Sequence, residues 1–590
     1  MGRKPVFNAV VLLGYALIGL AVYANSLQSP FIWDDPYLVV NNHLIRDLRY
    51  LPEIFSRHLY DSTAGVSNFY RPLQTLFLLF DFSIWKLNPL GYHLTSLVFH
   101  ILCAFFSFLL FDLLFGRRWV AVGTGLLFLV HPINSTVVDY ISSRADSQAA
   151  FFSLLSLWLF FKAWGYEASR VGAEAKKGKP GKPGKTGRPA CAPLNPLLYL
   201  LSLASFLCAL LSKEMAVAFP LLLLAAVLVF RKDQAWKTIP FVLLLGLYAA
   251  LRLTVLNFPT PSEQAAPPLT VRLLTTAEAF VRLIGSLFVP VRIHIEKSIP
   301  FSAGFWEFRT WGSIAALLAI GFFMAWVYKR SKGCFFGLSW FFIALLPMAN
   351  IVPINTTIAD HWLYLPSIGF FASILGGIAD GTELLKPELK GSVRRGGFLV
   401  SVAVLVLFSA LTIRQNRIWR DPVGFFELAI RYSPGSFRAH NELGVLSLDR
   451  GEVDRAVREF QEAVRINPAF DQAHDNLGIA YDLKGDYPRA IVQYQKALQL
   501  NPHNPKTYNN LGNACLKSGQ FEQAIRSYEK ALQLNPGYKA VYNNLGAVYF
   551  KRGEFGKAQE MWEKALQIDP DFEMAASNLK MLKARESAGP

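Results

Sequence analysis

Long apolar runs dominate this chain up to about residue 413, and short polar segments separate them. A helix that spans a bilayer needs about 20 predominantly apolar residues, and most of these runs approach that length. With 53% apolar and only 17% charged residues, the chain of 590 residues is too apolar for a soluble protein. The sequence therefore predicts an all-α protein with a polytopic membrane helix bundle over 1–415 and a separate, more charged C-terminal region.

Lysine and arginine clusters set the predicted orientation of the spans, because such clusters favour the cytoplasmic side. Arg3 and Lys4 precede the first run, about 7–23, which lacks a small-residue cleavage site and is interpreted as a retained signal anchor. The runs 71–86 and 273–290 are interpreted as interfacial helices. If either run crossed the membrane, the next basic cluster along the chain would lie outside, against the preference of such clusters for the cytoplasm. The prediction is about 11 to 13 spans, and either odd count places the C-terminal half outside.

The net charge of +17 is explained by basic loops next to anionic lipid. In a soluble protein it would suggest a nucleic-acid partner, which is not expected here. The longest basic loop, 167–194, alternates lysine with glycine and proline, so it cannot fold alone. It is predicted to be a cytoplasmic loop that lies along the membrane. The five cysteines are scattered and show no metal-ligand spacing.

Two adjacent carboxylates, Asp34 and Asp35, follow the first apolar run within the sequence FIWDDP. Carboxylates beside a membrane are costly unless water, a cation or a reacting partner satisfies them. The local sequence fits a turn or a helix cap as well as a catalytic pair. Both aspartates lie in the predicted first outer loop, 26–91. A divalent metal could bind two carboxylates, but no other outer-loop residue stands at ligand spacing, so no metal or cofactor is predicted.

A 34-residue period marks the C-terminal half. A Leu-Gly dipeptide recurs four times at this spacing, and so does an Asn-Pro or Asp-Pro dipeptide. This is the tetratricopeptide pattern, in which each helix-turn-helix unit buries its apolar face only against its neighbours. The prediction is an α-solenoid of four repeats over 436–581 with a tail, 582–590. Residues 416–435 are predicted to form a junction that contains half of a degenerate fifth repeat.

Polar side chains occupy two adjacent positions in the first helix of each repeat. An asparagine ladder of this kind commonly faces the concave surface of a repeat stack, where it can hydrogen-bond an extended peptide backbone. The competing interpretation is that these side chains only solvate the inner face. We expect a groove that binds an extended peptide. Its candidate residues are Asn441, Asp475, Asn476, Asn509, Asn510, Asn543 and Asn544.

The other polar residues of the membrane half cluster on its predicted outer side, whereas the inner loops are mainly basic. Ordinary loops would carry mixed acids, bases and histidines on both faces. Shared sidedness therefore favours a chemical site that includes the Asp34–Asp35 pair. The clustered residues are Arg71, His131, Arg144, Asp146, Lys213, Glu214, His294, Glu296, Asp360, His361 and Tyr364.

An ordered set of stretches runs through the chain. After the double aspartate come YRPL with LNPLGYHLTSLVFH, HPINSTVVDYISSRADS, SKEMAVAFP, ADHWLYLPSIGF and RQNRIWRD, followed by the repeats. In this order they resemble the tetratricopeptide-bearing membrane O-mannosyltransferases of the cadherin-directed type, in their bacterial form, within the GT-C class of glycosyltransferases. The likeness covers nearly the whole chain and rests on the set, because no single stretch is specific.

The resemblance implies a polyprenyl-phosphate-linked sugar as donor, inversion at the anomeric carbon, and catalytic residues in the first outer loop. Asp34 and Asp35 hold the place of the acidic pair, and Asp34 is by resemblance the expected general base on a serine or threonine hydroxyl. The departing phosphate needs fixed cations, and the candidates are Arg71, Arg144, Lys213 and His361. The expected supporting polar residues are His131, Asp146, Glu214, Glu296, Asp360 and Tyr364.

Two stretches depart from the family pattern. His294-Ile295-Glu296 stands where the family often has an aspartate motif, and His361 stands where many bacterial relatives have arginine. The expected function is transfer of one sugar, mannose by resemblance, to a protein held by periplasmic repeats at a bacterial inner membrane, or in the lumen of a eukaryote. Two alternatives stay open. One is a lipid-linked oligosaccharide ligase or glycan-modifying transferase of the same class, and the other is a non-enzymatic membrane scaffold.

Overall fold

The computed structural model describes residues 3–60, 68–166, 194–256, 258, 267–291, 293–294, 297, 299–302, 307–353 and 357–587. This part of the chain is helical apart from turns and one isolated bridge between Lys297 and Ile358, so the predicted all-α fold is confirmed. The chain divides into two compact units, Met1–Pro422 and Val423–Pro590. Nearly all of the basic loop 167–194 lies outside the described residues.

The first unit is a bundle of α-helices joined by short 3-10 turns. In chain order its described helices are α1 (Arg3–Tyr23), α2 (Leu51–Ser56), α3 (Pro72–Trp85), α4 (Pro89–Phe115), α5 (Arg118–Val130), α6 (Ser135–Val138), α7 (Arg144–Ala163), α8 (Pro196–Ser212), α9 (Phe219–Phe230), α10 (Ile239–Thr254), α11 (Leu269–Phe288), α12 (Phe308–Val327), α13 (Lys332–Leu345), α14 (Tyr364–Glu383) and α15 (Pro387–Arg420). The N-terminal half of the bundle, α1 to α8, carries most of the candidate site.

Six helices of the described part are long and apolar enough to cross a membrane, and a bent pair, Arg118–Val130 with Pro132–Val138, would add a seventh. The six are Pro5–Tyr23, Pro89–Phe115, Lys232–Thr254, Phe308–Val327, Asp360–Glu383 and Pro387–Arg420. Four further apolar helices are shorter: Pro72–Trp85, Pro196–Ser212, Glu214–Phe230 and Lys332–Met348. Length and hydropathy thus support a multi-pass membrane domain, while the count of about 11 to 13 spans stays a prediction.

Helix α4 is the centre of the bundle and packs against α1, α3, α5 and α7. It begins where the Asn88 side chain accepts a hydrogen bond from the Leu90 amide, and Pro89 stands at its first position. It ends at Gly116, whose φ of 66° is left-handed. Its buried polar group His100 bonds to the Leu129 carbonyl and to the Tyr364 hydroxyl, at 3.1 Å and 2.8 Å. Both nitrogens of this buried imidazole are therefore bonded to neighbouring helices.

The second unit is a stack of antiparallel helix pairs. The helix α16 (Pro422–Tyr432) leads into it, and the pairs that follow are α17 (Phe437–Asp449), α18 (Val453–Ile466), α19 (Asp471–Leu483), α20 (Tyr487–Leu500), α21 (Pro505–Lys517), α22 (Phe521–Leu534), α23 (Lys539–Lys551) and α24 (Phe555–Ile568), with α25 (Glu573–Ser587) last. This arrangement is the tetratricopeptide solenoid predicted from the 34-residue period.

A glycine in the first helix of each repeat faces an aromatic ring of the second helix. A Cβ added at Gly512 would lie 2.5 Å from the Tyr528 ring, and one at Gly478 would lie 2.6 Å from the Tyr494 ring. Only glycine allows the two helices this close. The rings that fill the gaps are fully or almost fully buried. The Leu-Gly dipeptides of the sequence are therefore packing positions between the two helices of a repeat.

Replacing Gly512 by alanine should destabilise the repeat unit by about 1–3 kcal/mol, because the new methyl group would force the Tyr528 ring from its place. Gly556→Ala is the matched control, since nothing lies within 4 Å of its added Cβ, and it should be neutral or slightly stabilising. Urea denaturation of the full chain, followed by circular dichroism, measures both. Equal stabilities of the two variants would contradict this packing.

Candidate functional site

The double aspartate lies in a tight turn after α1. Trp33, directly before it, has a φ of 60°, a left-handed conformation that costs a non-glycine residue about 1–3 kcal/mol. Asp35 then begins a five-residue π-helical turn, Pro36–Val40, that runs into the first outer loop. Backbone strain of this kind persists only where other contacts fix it. Those contacts come from the Asp35 side chain.

The Asp35 carboxylate anchors this turn to the segment between α6 and α7. It is fully buried, and its Oδ1 accepts hydrogen bonds from the Ser142 amide at 2.8 Å and the Ser142 hydroxyl at 2.7 Å. Its Oδ2 accepts a longer bond, 3.4 Å, from the Ile32 amide. Burial raises the pKa of Asp35 to about 7, against the hydrogen bonds that lower it. Asp35 is therefore a positioning residue with both oxygens occupied.

Asp34 is only half-buried and is oriented by two phenols. Its Oδ2 accepts hydrogen bonds from the Tyr140 hydroxyl at 2.8 Å and from the Tyr60 hydroxyl at 3.2 Å. The Tyr140 ring in turn stacks on Trp419, with ring centroids 5.8 Å apart and planes at 20°. Two neutral donors fix the direction of this carboxylate without cancelling its charge. It is thus the better placed of the two aspartates to meet a substrate.

A second group of polar and charged residues brings together five of the sequence candidates. The Arg71 guanidinium bonds to both carboxylate oxygens of Glu214, with Nε at 3.2 Å and 3.0 Å and Nη2 at 2.9 Å. The Lys213 ammonium lies 2.6 Å from Oδ2 of Asp146. His361 is close enough to Arg71, Lys213 and Asp146 to interact with their charges. We call these five residues the ionic cluster.

A small cavity of about 20 Å³ lies beside the ionic cluster. Two members of the cluster, Asp146 and His361, line it together with mostly apolar side chains, among them Met215, Trp362 and Tyr364. The cluster therefore borders a cavity whose walls are mainly apolar.

Tyr60 connects the two groups. Its hydroxyl donates to Asp34, and the same side chain is close enough to Arg71 to interact with the guanidinium charge. Tyr60 therefore contacts Asp34 and lies within electrostatic reach of Arg71. That these residues share one side of the membrane stays a prediction.

Arg144 has other partners. Its side chain is fully buried in the bundle, where Nη1 pairs with Asp81, Nε donates to the Ser96 hydroxyl at 3.0 Å, and Nη2 donates to the Tyr92 carbonyl at 2.6 Å. Removing either partner of a buried ion pair is strongly destabilising. Arg144 thus fastens α7 to α3 and α4. With its donors used in this way, it does not reach the cavity as the expected phosphate ligand would.

His131 and Asp360 also serve packing. His131 accepts a hydrogen bond from the Ile133 amide at 3.2 Å, and its other ring nitrogen lies 3.1 Å from the Leu287 carbonyl. Asp360 accepts from the His294 amide at 2.9 Å and pairs with Lys297 at 2.6 Å. Both residues hold neighbouring segments in place. Glu296, another expected supporting residue, lies outside the described residues.

The asparagine ladder of the second unit links successive repeats. Asn476 donates to Asn441 at 2.9 Å and Asn544 donates to Asn509 at 3.0 Å. Asn543 continues the ladder by accepting from Asn578 at 2.9 Å. The first-position residues Asn441, Asn509 and Asn543 are buried, whereas the second-position amides at 476, 510 and 544 are half-buried. A structural role is therefore visible, and acceptor binding by the second-position amides stays a prediction.

Several site residues carried no signal strong enough to single them out in the sequence. Tyr60, Tyr140, Ser142 and Trp419 hold or orient the aspartates, yet tyrosine, serine and tryptophan are common at membrane interfaces. Three of them fall within the stretches that carry the family resemblance. Among the described residues, no group of three or more histidines, cysteines or carboxylates could hold a metal ion.

The chain is similar to curated protein O-mannosyl-transferases. Human protein O-mannosyl-transferase TMTC1 is 24% identical over 522 residues, 78% of this chain and 55% of that protein. The Caenorhabditis elegans protein O-mannosyl-transferase F38B6.6 is 24% identical over 482 residues, 78% and 63% of the two chains. Human protein O-mannosyl-transferase TMTC2 is 35% identical over 155 residues, which are 25% of this chain and 18% of that protein. The chain spans little more than half the length of the first two relatives.

Tetratricopeptide-repeat family profiles match residues 426–469, 483–519, 512–553 and 540–572. The solved structure of the MamA protein, 27% identical, covers 25% of this chain and 90% of its own, with a TM-score of 0.24 that supports no further comparison. The profiles and the curated relatives confirm the resemblance to tetratricopeptide-bearing O-mannosyltransferases. A bacterial source remains a prediction.

The raised pKa of Asp35 makes stability depend on pH. Between about 3.9, the value of an exposed aspartate, and about 7, the unfolded chain releases the proton and the folded chain keeps it. The free energy of unfolding should therefore fall as the pH rises through this window, by up to about 1.4 kcal/mol per pH unit. Asp35→Asn should remove this part of the slope, as measured by thermal unfolding across the window.

The control for this prediction is Asp47→Asn in the same loop. Asp47 caps a short turn by accepting from the Arg49 amide and is 44% exposed, whereas Asp35 is fully buried, so the replacement of Asp47 should leave the pH dependence as in the wild type. An unchanged slope in Asp35→Asn would contradict the burial of a protonated carboxyl at this position.

Proposed function

We propose that this relative of the protein O-mannosyl-transferases transfers one sugar, mannose by similarity, from a polyprenyl-phosphate donor to a serine or threonine hydroxyl of a protein. One observation carries the proposal: the Asp34 carboxylate is oriented by two phenols, and one of them, Tyr60, lies within electrostatic reach of Arg71 in the ionic cluster. A base for a hydroxyl and a set of cations for a leaving phosphate are the two requirements of this reaction.

In the proposed mechanism Asp34 is the general base. A hydroxyl is a poor nucleophile at neutral pH, so it needs a carboxylate within hydrogen-bond reach as it attacks the anomeric carbon. Asp34 takes the hydroxyl proton while the new carbon–oxygen bond forms on the face opposite the phosphate, and the configuration inverts. Tyr60 and Tyr140 fix the orientation of the carboxylate. Asp35 contributes through the turn and makes no contact with the substrate.

The leaving group is the lipid phosphate. As its bond to the anomeric carbon breaks, a phosphodiester becomes a phosphomonoester, and the added negative charge needs fixed cations nearby. Arg71 supplies a planar fork suited to two phosphate oxygens, and Lys213 supplies a point charge. His361 lies within electrostatic reach of both and can contribute a hydrogen bond. Arg144 has no part in this step, because its donors are used inside the bundle.

The repeats are proposed to hold the acceptor protein. A repeat stack has an extended concave surface, and the half-buried amides of Asn476, Asn510 and Asn544 follow one another along it at 34-residue spacing. Amides of this kind can bond a peptide backbone without demanding a particular sequence. The predicted topology, with an odd number of spans after a cytoplasmic N-terminus, puts the repeats on the same side as Asp34.

Asp34→Asn should lower the rate of mannose transfer by about 10²–10⁴-fold, because it removes the base and leaves the shape of the site intact. Asp47→Asn, an exposed carboxylate of the same loop, is the control and should keep wild-type rates. The assay follows labelled mannose from polyprenyl phosphate into protein in membranes that contain the full chain. Full activity of Asp34→Asn would rule out this base.

The same assay separates the donor classes. A monosaccharide phosphate should serve as donor, whereas an oligosaccharide diphosphate should not. Transfer from the diphosphate alone would favour an oligosaccharide ligase of the same class instead. Absence of transfer from either donor, in membranes where the chain is folded, would favour a scaffold.

Joint replacement of Asn476, Asn510 and Asn544 by alanine should raise KM for the protein acceptor about tenfold or more and leave kcat near the wild-type value, since each lost hydrogen bond is worth about 1 kcal/mol. Gln495→Ala with Gln499→Ala, at exposed positions of α20, is the control. An unchanged KM with a lowered melting temperature would assign the amides to the stability of the stack alone.

A further inference from the structure

Both of the proposed phosphate-binding cations already have a carboxylate partner. Arg71 makes its fork of contacts with Glu214 at 2.9 to 3.2 Å, and Lys213 lies 2.6 Å from Asp146. The two positive and two negative charges cancel. An incoming phosphate therefore meets a neutral site, and it gains the attraction of a cation only where a carboxylate moves away.

The two ion pairs differ in how easily they can separate. The side chains of Lys213 and Asp146 are 9% and 6% exposed, so parting them would leave two buried charges uncompensated, at a high cost. Arg71 is 13% exposed, whereas Glu214 is 39% exposed, the most of the four side chains. Leaving its partner costs a carboxylate with this much exposed surface less than it costs a buried one. Glu214 is thus the partner that can leave.

Arg71 stays in place when Glu214 moves. Its guanidinium carbon lies 4.7 Å from the centre of the Phe69 ring, a cation–π contact that is independent of Glu214. The edge of the guanidinium that binds both Glu214 oxygens is also the edge that binds two oxygens of a phosphate. The carboxylate of Glu214 therefore occupies the position that a phosphate would take.

We propose that Glu214 is a displaceable counter-ion. It fills the Arg71 fork when no donor is bound, and the anionic phosphate of the lipid donor replaces it there, while Asp146 remains with Lys213. This inference rests on the proposed function, because it assumes a lipid phosphate as ligand. It assigns Glu214 a role in the specificity of the site: a ligand without an anionic group cannot displace the carboxylate, so an uncharged lipid gains nothing from Arg71.

The test measures binding of polyprenyl phosphate without a sugar to the full chain in lipid nanodiscs. Glu214→Gln keeps the size of the side chain and removes the competing charge, so it should bind polyprenyl phosphate about tenfold more tightly than the wild type. Arg71→Ala should bind weakly whether residue 214 is Glu or Gln. A gain in affinity is informative because damage to the fold would not produce it.

Two results would overturn the inference and they can be told apart. If the wild type binds polyprenyl phosphate and Glu214→Gln binds no more tightly, Glu214 is not a displaceable counter-ion, although the proposed donor class stands. If neither chain binds polyprenyl phosphate, the donor class fails and this inference fails with it. Glu214→Ala is the second variant in case Glu214→Gln does not fold, and it should show the same gain.

Discussion

The two hydrogen bonds from Ser142 to Asp35 connect the turn after α1 with the segment before α7. The chain arrives at this point through Trp33 in a left-handed conformation, which it would leave if the anchor were absent. Asp35 is bonded to Ser142, two residues after Tyr140, and this anchor places the Asp34 carboxylate beside the Tyr140 hydroxyl. The orientation of the proposed base therefore depends on a neighbouring carboxylate that is itself buried and hydrogen-bonded.

The candidate site has two regions, and Tyr60 interacts with both. On one side a half-buried carboxylate is directed by phenols, which leave its negative charge available. On the other side Arg71 and Lys213 are each held by a carboxylate, so that cations can exist next to an apolar bundle at a tolerable cost. Buried charges farther in, such as Arg144 with Asp81, are paired permanently and serve the helix packing. Among the three partner carboxylates, Glu214 is 39% exposed, whereas Asp146 and Asp81 are both buried.

Periodicity and sidedness predicted much of this molecule. The 34-residue spacing determined the solenoid, because each Leu-Gly dipeptide is a close contact between two helices, as at Gly512 and Tyr528. Charge sidedness predicted that Asp34, Arg71 and Lys213 lie on the same side of the membrane. Arg144 shares that side, yet it turns into the bundle, since the rotation of α7 decides which neighbour its side chain meets. The rotation of a helix and the hydrogen bonds of Tyr60 and Tyr140 to Asp34 are determined by tertiary packing. The pattern of residues along the sequence does not predict them.

The central claim is that the chain is a protein glycosyltransferase. Intact-mass analysis of proteins exposed on the outer side of the membrane, in cells with and without this chain, tests it most directly. The account predicts acceptor proteins that gain the mass of single hexoses only when the chain is present. An identical set of masses in the two kinds of cell, with the chain folded and inserted in the membrane, would contradict it.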